Sequence, residues 1–190
     1  MGLITQYMVH CTDTAPWVKV NKTTLFRWHL APRKNSDGTF TYKGVKYDDL
    51  SKADLSPMHE RFFGRGWDRY GYHKLIHRDG TVEIITPINR DAFLSTDETT
   101  WGCTGQNSHS IHVALVGGRL QDNKPLKKPV DFFKIFTYQQ FIALQKDIKQ
   151  ILARYEAVKV TGHYNHSKKP CPNFDVKDLA ELFGLEMFFV

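Results

Sequence analysis

The sequence predicts an α/β fold, a mixed central β-sheet with helices packed on it, and three kinds of stretch carry that prediction. LITQYMVHC (3–11) and SIHVALV (110–116) are short apolar runs whose hydrophobic side chains occupy both alternating faces, as in strands covered on both sides. GYHKLIHRDGTVEIIT (71–86) reads as a hairpin, two strand-like runs joined at Arg78-Asp79-Gly80, where glycine tolerates the positive φ of a tight turn. Phe141, Leu144, Ile148, Ile151, Leu152 and Tyr155 recur at helical spacing behind a Thr137/Gln140 capping box.

In chain order, the strand over 3–11 leaves His10 at its C-terminal end. VNKTTLFRWHL (20–30) fits a short helix. The polar, turn-rich stretch from about 31 to 57 is an elaboration with hairpin turns at Asp37-Gly38 and Lys43-Gly44. After the 71–86 hairpin, the strand over 110–116 closes at Gly117-Gly118, and the long helix follows Thr137. AVKVTG (157–162) is a strand that delivers the chain to His163, and Asp175 is placed to cap a terminal helix through about Phe183. This places His10 and His163 just beyond strand ends, where α/β proteins usually hold functional groups. No internal repeat or low-complexity tract interrupts the pattern.

A chain of 190 residues with 41% hydrophobic composition fits a single domain over 1–190. At that size roughly 70% of the unfolded chain's surface can be buried, so a core forms without disulfides. The formal charge of +6 is a mild bias toward anionic partners and chooses none of them. Cys11, Cys103 and Cys171 are too few and too uneven for a disulfide framework, which favours synthesis in a reducing compartment. The start MGLITQYMVHC lacks a basic n-region and a cleavage site, and no apolar run approaches the ~20 residues that span a bilayer. The expectation is a monomer made in a cytoplasm, without export signal or membrane insertion.

GHYNHSKKPCPNFD (162–175) is where chemistry concentrates. Prolines 170 and 172 push Lys169 and Cys171 toward extended backbone, so that the Lys169 ammonium and the Cys171 sulfur should project together. One histidine and one cysteine make an incomplete zinc site, and alone they are more often structural. Together with VHCTDT (9–14), GWDRYGYHKLIHRDGTVE (66–83) and NSHSIHVALVGG (107–118), however, this block resembles the zinc N-acetylmuramoyl-L-alanine amidases. The likeness is greatest to the small lysozyme-type amidases of short-tailed phages, which are related in turn to the peptidoglycan recognition proteins. The four blocks occur in the family's order and cover most of the chain outside 31–57.

That resemblance implies an amidase-like fold with a zinc-containing cleft at the strand ends. It implies one Zn²⁺ on His10, His163 and Cys171, with Tyr72 and Lys169 as catalytic residues. Two imidazoles and a thiolate suit zinc and leave a fourth position open, as a catalytic site requires. The implied reaction is hydrolysis of the amide between the lactyl group of N-acetylmuramic acid and L-alanine of the peptidoglycan stem peptide, by an endolysin-type enzyme acting on the wall after release. Trp28-His29 and Met58-His59 compete for the family's position on the helix before the GW block. Relatives often carry histidine where this chain has Gly102, so a substrate contact is absent or supplied by His109. Trp67 and Tyr70 either line a saccharide groove or pack inside.

The other candidates read as structure. Cys11 follows His10 in a strand and points to the opposite face, as a small core residue. Cys103 is a free thiol. His73 and His112 are hydrogen-bonded core or sheet histidines; His166, three after His163, could complete a two-histidine motif, but the resemblance favours Cys171. Two other functions stand beside the amidase. The resemblance also implies a regulator that binds phage RNA polymerase through a surface away from zinc. A binding-only peptidoglycan module would, within the wider family, lack the metal cysteine that this chain keeps. Specific nucleic-acid binding has no motif.

Overall fold

A computed structural model describes residues 1–55 and 62–190 of the chain. Along it run β1 (Gly2–Leu3), β2 (Gln6–Cys11), α1 (Lys22–Leu25), β3 (Arg33–Lys34), β4 (Phe40–Tyr42), β5 (Val45–Tyr47), β6 (Lys74–Ile76) and β7 (Val82–Ile84). They are followed by β8 (Phe93–Leu94), β9 (Ser110–Leu115), α2 (Phe132–Ile135), α3 (Tyr138–Arg154), β10 (Lys159–Gly162) and α4 (Asp178–Phe183). The chain divides into two compact units, one of Met1–Lys19 with Tyr72–Val190 and one of Val20–Gly71.

The larger unit is built on a five-stranded sheet of order β10-β2-β9-β6-β7. Its first four strands are parallel, and β7 returns antiparallel from β6 through the expected hairpin, with Gly80 at φ +86°. The mixed sheet with flanking helices is therefore the architecture that the sequence predicts. The 3–11 run splits: Gly2 and Leu3 pair with β8, and only Gln6–Cys11 enters the main sheet. His10 is accordingly the penultimate residue of β2 rather than a residue beyond it.

Strand periodicity divides the side chains of this sheet between two faces. Tyr7, Val9, Ile111, Val113, Leu115 and Ile76 pack with Phe141, Leu144, Ile148 and Ile151 from α3 in one core. Each of these aliphatic side chains contributes about 1.5–3 kcal/mol when fully buried. The helix starts at the expected capping box, Thr137 accepting the Gln140 N–H while the Gln140 side chain accepts the Thr137 N–H. The Gln140 amide also donates to the carbonyls of Ile76 and Val116, both at 3.0 Å, tying the first turn of α3 to the sheet. Deeper along α3, Asp147 accepts the Tyr7 hydroxyl at 2.7 Å and the Lys74 ammonium at 2.6 Å. Asp147 and Lys74 are nearly buried, with side chains 7% and 13% exposed, so water can replace little of what each supplies to the other.

The opposite face holds the remaining parity, including Met8, His10, His112 and Ala114. His73, immediately before β6, joins it and is fully buried. Its Nδ1 accepts the His112 backbone N–H at 2.8 Å, so its proton sits on Nε2, which donates to the Glu98 carbonyl at 2.9 Å. Burial pushes the His73 pKa down to about 4, leaving the ring neutral.

At the C-terminus, α4 begins at Asp178 rather than directly behind Asp175. Asp175 instead accepts the Lys177 N–H at 3.0 Å and the Tyr164 hydroxyl at 2.7 Å, forming a turn ahead of the helix. No helix among the described residues is long and apolar enough to cross a membrane.

In the smaller unit, α1 is capped by Asn21 and runs on into a π-helical turn, Phe26–Leu30. The described part of the 31–57 stretch is a three-stranded antiparallel sheet, β3-β4-β5, turning at Asp37-Gly38 and Lys43-Gly44 as expected. His29 is buried, accepts the Gly71 N–H on Nδ1 at 3.1 Å, and stacks on Trp67 at 5.0 Å between centroids. Burial and the charge of Arg65 push its pKa down to about 3. Its competitor for the same family position, Met58-His59, lies outside the described residues.

Replacing Asp147 by alanine leaves the Tyr7 hydroxyl and the Lys74 ammonium buried without their acceptor. Denaturant unfolding should show a loss of about 3–5 kcal/mol; a loss below about 1 kcal/mol would mean that the two groups find other partners.

A candidate metal centre

Four consecutive strands of the large sheet each bring one histidine to the same face: His163 after β10, His10 on β2, His112 on β9 and His73 before β6. Their rings follow one another across the sheet. Centroids are 4.6 Å apart for His163 and His10, 5.1 Å for His10 and His112, and 6.0 Å for His112 and His73. His163 opens a single 3₁₀ turn, His163–Asn165, directly after β10. The register Gly162↔Val9 makes it the next residue across from His10.

Cys171 reaches this place from the loop that follows. The loop is closed by the Tyr164 N–H to the Cys171 carbonyl at 2.9 Å, and a second turn by the Asn173 N–H to the Pro170 carbonyl at 2.6 Å. The Cys171–Pro172 peptide bond is cis. The expected extended run through Lys169 is not present, because the chain bends through 167–169 inside this closed loop.

His10, His163 and Cys171 could hold a metal ion, since one donor atom from each lies within 4.8 Å of the others. The His10 Nδ1 stands 3.9 Å from the Cys171 sulfur. Two donors on one tetrahedral zinc stand roughly 3.6 Å apart, so this spacing fits such an ion to within a few tenths of an ångström. The donor set, two imidazoles and a thiol, is the borderline-soft mixture that zinc prefers over magnesium or calcium.

Electrostatics favours the ligating forms. A hydrogen bond from the Cys11 thiol holds the Cys171 thiol well below its ordinary range despite burial, and His10 and His163 add to the effect. The same contact, at 4.0 Å between sulfurs, pushes Cys11 well above its ordinary range. The Cys11 backbone N–H also points at the Cys171 sulfur, at 3.3 Å. Cys11 is thus buried, as its place in the strand suggests, but it also solvates the cysteine sulfur, a role that the opposite-face reading missed. Gly118 makes room for it: a Cβ there would stand 2.7 Å from the Cys11 sulfur. Burial lowers the His10 pKa and keeps the ring neutral, with the charge of Lys169 among the smaller causes.

The other candidate residues fall as follows. Tyr72 is half-buried just before β6, its ring centroid 5.3 Å from that of His10. Lys169 is exposed on the 163–171 loop, close enough for its charge to act on both His10 and Cys103. Cys103 is a buried free thiol. His109 sits at the amino-terminal end of β9, hydrogen-bonded to the Gln106 side chain at 2.9 Å. Trp67 and Tyr70 belong to the smaller unit, where both are half-buried. The Arg65 guanidinium lies over Trp67 at 4.7 Å, and the Lys22 ammonium over Tyr70 at 5.8 Å.

His112 is the residue that sequence reasoning undervalued. It is fully buried, and its Nδ1 lies 2.9 Å from the Nε2 of His10. Its own Nε2 is, among the described residues, the one buried side-chain nitrogen or oxygen without a hydrogen-bond partner. The signal available was parity: His112 and His10 both lie on even-numbered positions of strands that pair in parallel as Met8↔His112.

Known proteins resemble the chain in fold and in sequence. A solved amidase, N-acetylmuramoyl-L-alanine amidase LysC from Clostridium intestinale, has a similar fold, with a TM-score of 0.57 at 15% identity over 96% of this chain and 86% of that one. Bumblebee PGRP-SA is also similar in fold, with a TM-score of 0.51 at 15% identity over all of this chain and 86% of that one. In sequence, the endolysin of Escherichia phage T7 is 36% identical over 155 residues, 80% of this chain and 89% of the relative. The sequence profile of N-acetylmuramoyl-L-alanine amidase (Amidase_2) matches residues 4–174, a span containing all three candidate ligands, and the chain belongs to that amidase family.

Proposed function

We propose that this N-acetylmuramoyl-L-alanine amidase is zinc-dependent, with His10, His163 and Cys171 as the ligands, and that it is an endolysin-type enzyme reaching the cell wall after release. The observation that carries the reading is the meeting of three donor atoms, from positions far apart in the chain, within 4.8 Å of one another in a member of an amidase family. The 36% identity to a phage endolysin over most of both chains supports the lytic role.

The substrate is peptidoglycan, and the bond cut is the amide between N-acetylmuramic acid and L-alanine. Water adds to the carbonyl carbon, the C–N bond breaks, and the L-alanine nitrogen leaves as a free amine. A bound zinc ion supplies Lewis acidity toward the scissile carbonyl and toward water near neutral pH. Around it the residues have separable tasks. His10, His163 and Cys171 would present their lone pairs to the ion, and the Cys11 N–H and thiol favour the charged form of the Cys171 sulfur. Lys169 places an ammonium beside the oxyanion as it develops, and the Tyr72 hydroxyl orients the attacking water or the oxyanion.

Binding to phage RNA polymerase, the other role that the resemblance implies, would need a surface separate from this cluster. Retention of the Cys171→Ser protein on immobilised polymerase would support it, and passage through the column would discard it.

For the amidase reading, zinc-loaded protein incubated with purified peptidoglycan should release peptides with a free L-alanine amino terminus and should stop on chelation. New reducing sugar ends, or turnover indifferent to chelator, would contradict it. In the same assay Lys169→Ala should lose about 10² to 10³ in rate while keeping its zinc; a metal-loaded variant with the wild-type rate would remove Lys169 from its assigned role.

A further inference from the structure

The contact between His10 and His112 leaves a choice of proton that metal binding resolves. The two rings share one hydrogen bond, 2.9 Å from His10 Nε2 to His112 Nδ1, buried on both sides. A neutral imidazole carries a single proton. If His10 carried it on Nδ1, that N–H would face the Cys171 sulfur at 3.9 Å and no lone pair would remain there for a metal. If the proton is on Nε2, His10 donates to His112 and frees Nδ1 for coordination. His112 must then accept at Nδ1 and carry its own proton on Nε2, the atom left without a partner.

We propose that His112 is a positioning residue for the metal centre, locking His10 in the Nε2–H tautomer and aiming its Nδ1 at the ion. This rests on the zinc reading above and goes beyond it, since His112 is not one of the three residues whose donor atoms could hold the ion. The support behind His112 is in place. His73 accepts its backbone N–H at 2.8 Å and stacks on its ring with 6° between the planes, and His73 is itself pinned by the Glu98 carbonyl. A row of three imidazoles thus transmits a fixed backbone geometry to one ligand. Metal-bound histidines commonly donate their second nitrogen to a carboxylate or carbonyl; here a neutral imidazole serves as the acceptor. His112 Nε2 has no partner in either tautomer, so nothing on that side opposes the one in which His112 accepts from His10.

The test compares zinc affinity, by competition with a chromophoric chelator, in the wild type, His112→Leu and His112→Asn. The leucine fills the space without accepting a hydrogen bond, and the asparagine oxygen can stand where Nδ1 stood. His112→Leu should bind zinc about 10- to 100-fold more weakly, with His112→Asn recovering most of the loss. Wild-type affinity in a folded His112→Leu protein would overturn the proposal. Independently of any variant, two-bond ¹H–¹⁵N spectra of the zinc-loaded wild type should show His112 protonated on Nε2 and bare on Nδ1. The reverse tautomer would overturn it. Wild-type protein that binds no zinc would instead overturn the metal reading, and this proposal with it.

Discussion

Side-chain alternation across four parallel strands is the constraint on which the site depends. Because successive residues of a strand face opposite ways, pairing β10, β2, β9 and β6 in this register sends one parity into the α3 core and the other toward a row of imidazoles. A one-residue slip of β2 against β9 would bury Val9 where His10 stands and turn His10 into the hydrophobic layer beside Phe141 and Ile148. The core therefore enforces the site: the burial that holds Tyr7, Val9, Ile111 and Val113 against α3 also fixes which nitrogen faces which neighbour on the other side.

The thiolate is supplied differently. Cys171 comes from a loop rather than a strand, and its sulfur is held where the last residue of β2 offers a backbone N–H and a thiol to it. The loop is secured at several points. Tyr164 closes it onto Cys171, and Asn173 donates its side-chain amide to the Gly118 carbonyl at 2.8 Å and to Asp13 at 3.2 Å. The strand ends thus contribute two imidazoles, and the loop contributes a sulfur whose ionisation its neighbours favour. Such a division suits a catalytic metal, which needs fixed ligands and one accessible side.

Much of the frame was legible because local rules governed it. The Thr137/Gln140 box, the turn at Gly80 and the hairpins in the 31–57 stretch follow from residues a few positions apart. The three candidate ligands were legible only through family likeness, since positions 10, 163 and 171 share no local pattern. Other features were hidden for physical reasons. The bend through 167–169 lies in a loop closed by the Tyr164 N–H on the Cys171 carbonyl, a contact that the local pattern around the prolines does not announce. Asp175 stands three residues ahead of α4, and its carboxylate accepts both the Lys177 N–H and the hydroxyl of Tyr164, a partner eleven residues earlier that no local pattern announces. The contacts of Cys11 with Cys171, and of His112 with His10, required knowing which strands are neighbours and in what register. Parity alone could have nominated His112, but only once β2 and β9 were placed side by side.

Zinc K-edge X-ray absorption of the purified protein reads the proposed ligand set most directly. One sulfur scatterer at about 2.3 Å, with nitrogen or oxygen neighbours at about 2.0–2.1 Å, is the expected shell. A zinc shell without sulfur would mean that Cys171 is not a ligand and that the convergence of positions 10, 163 and 171 serves some other purpose.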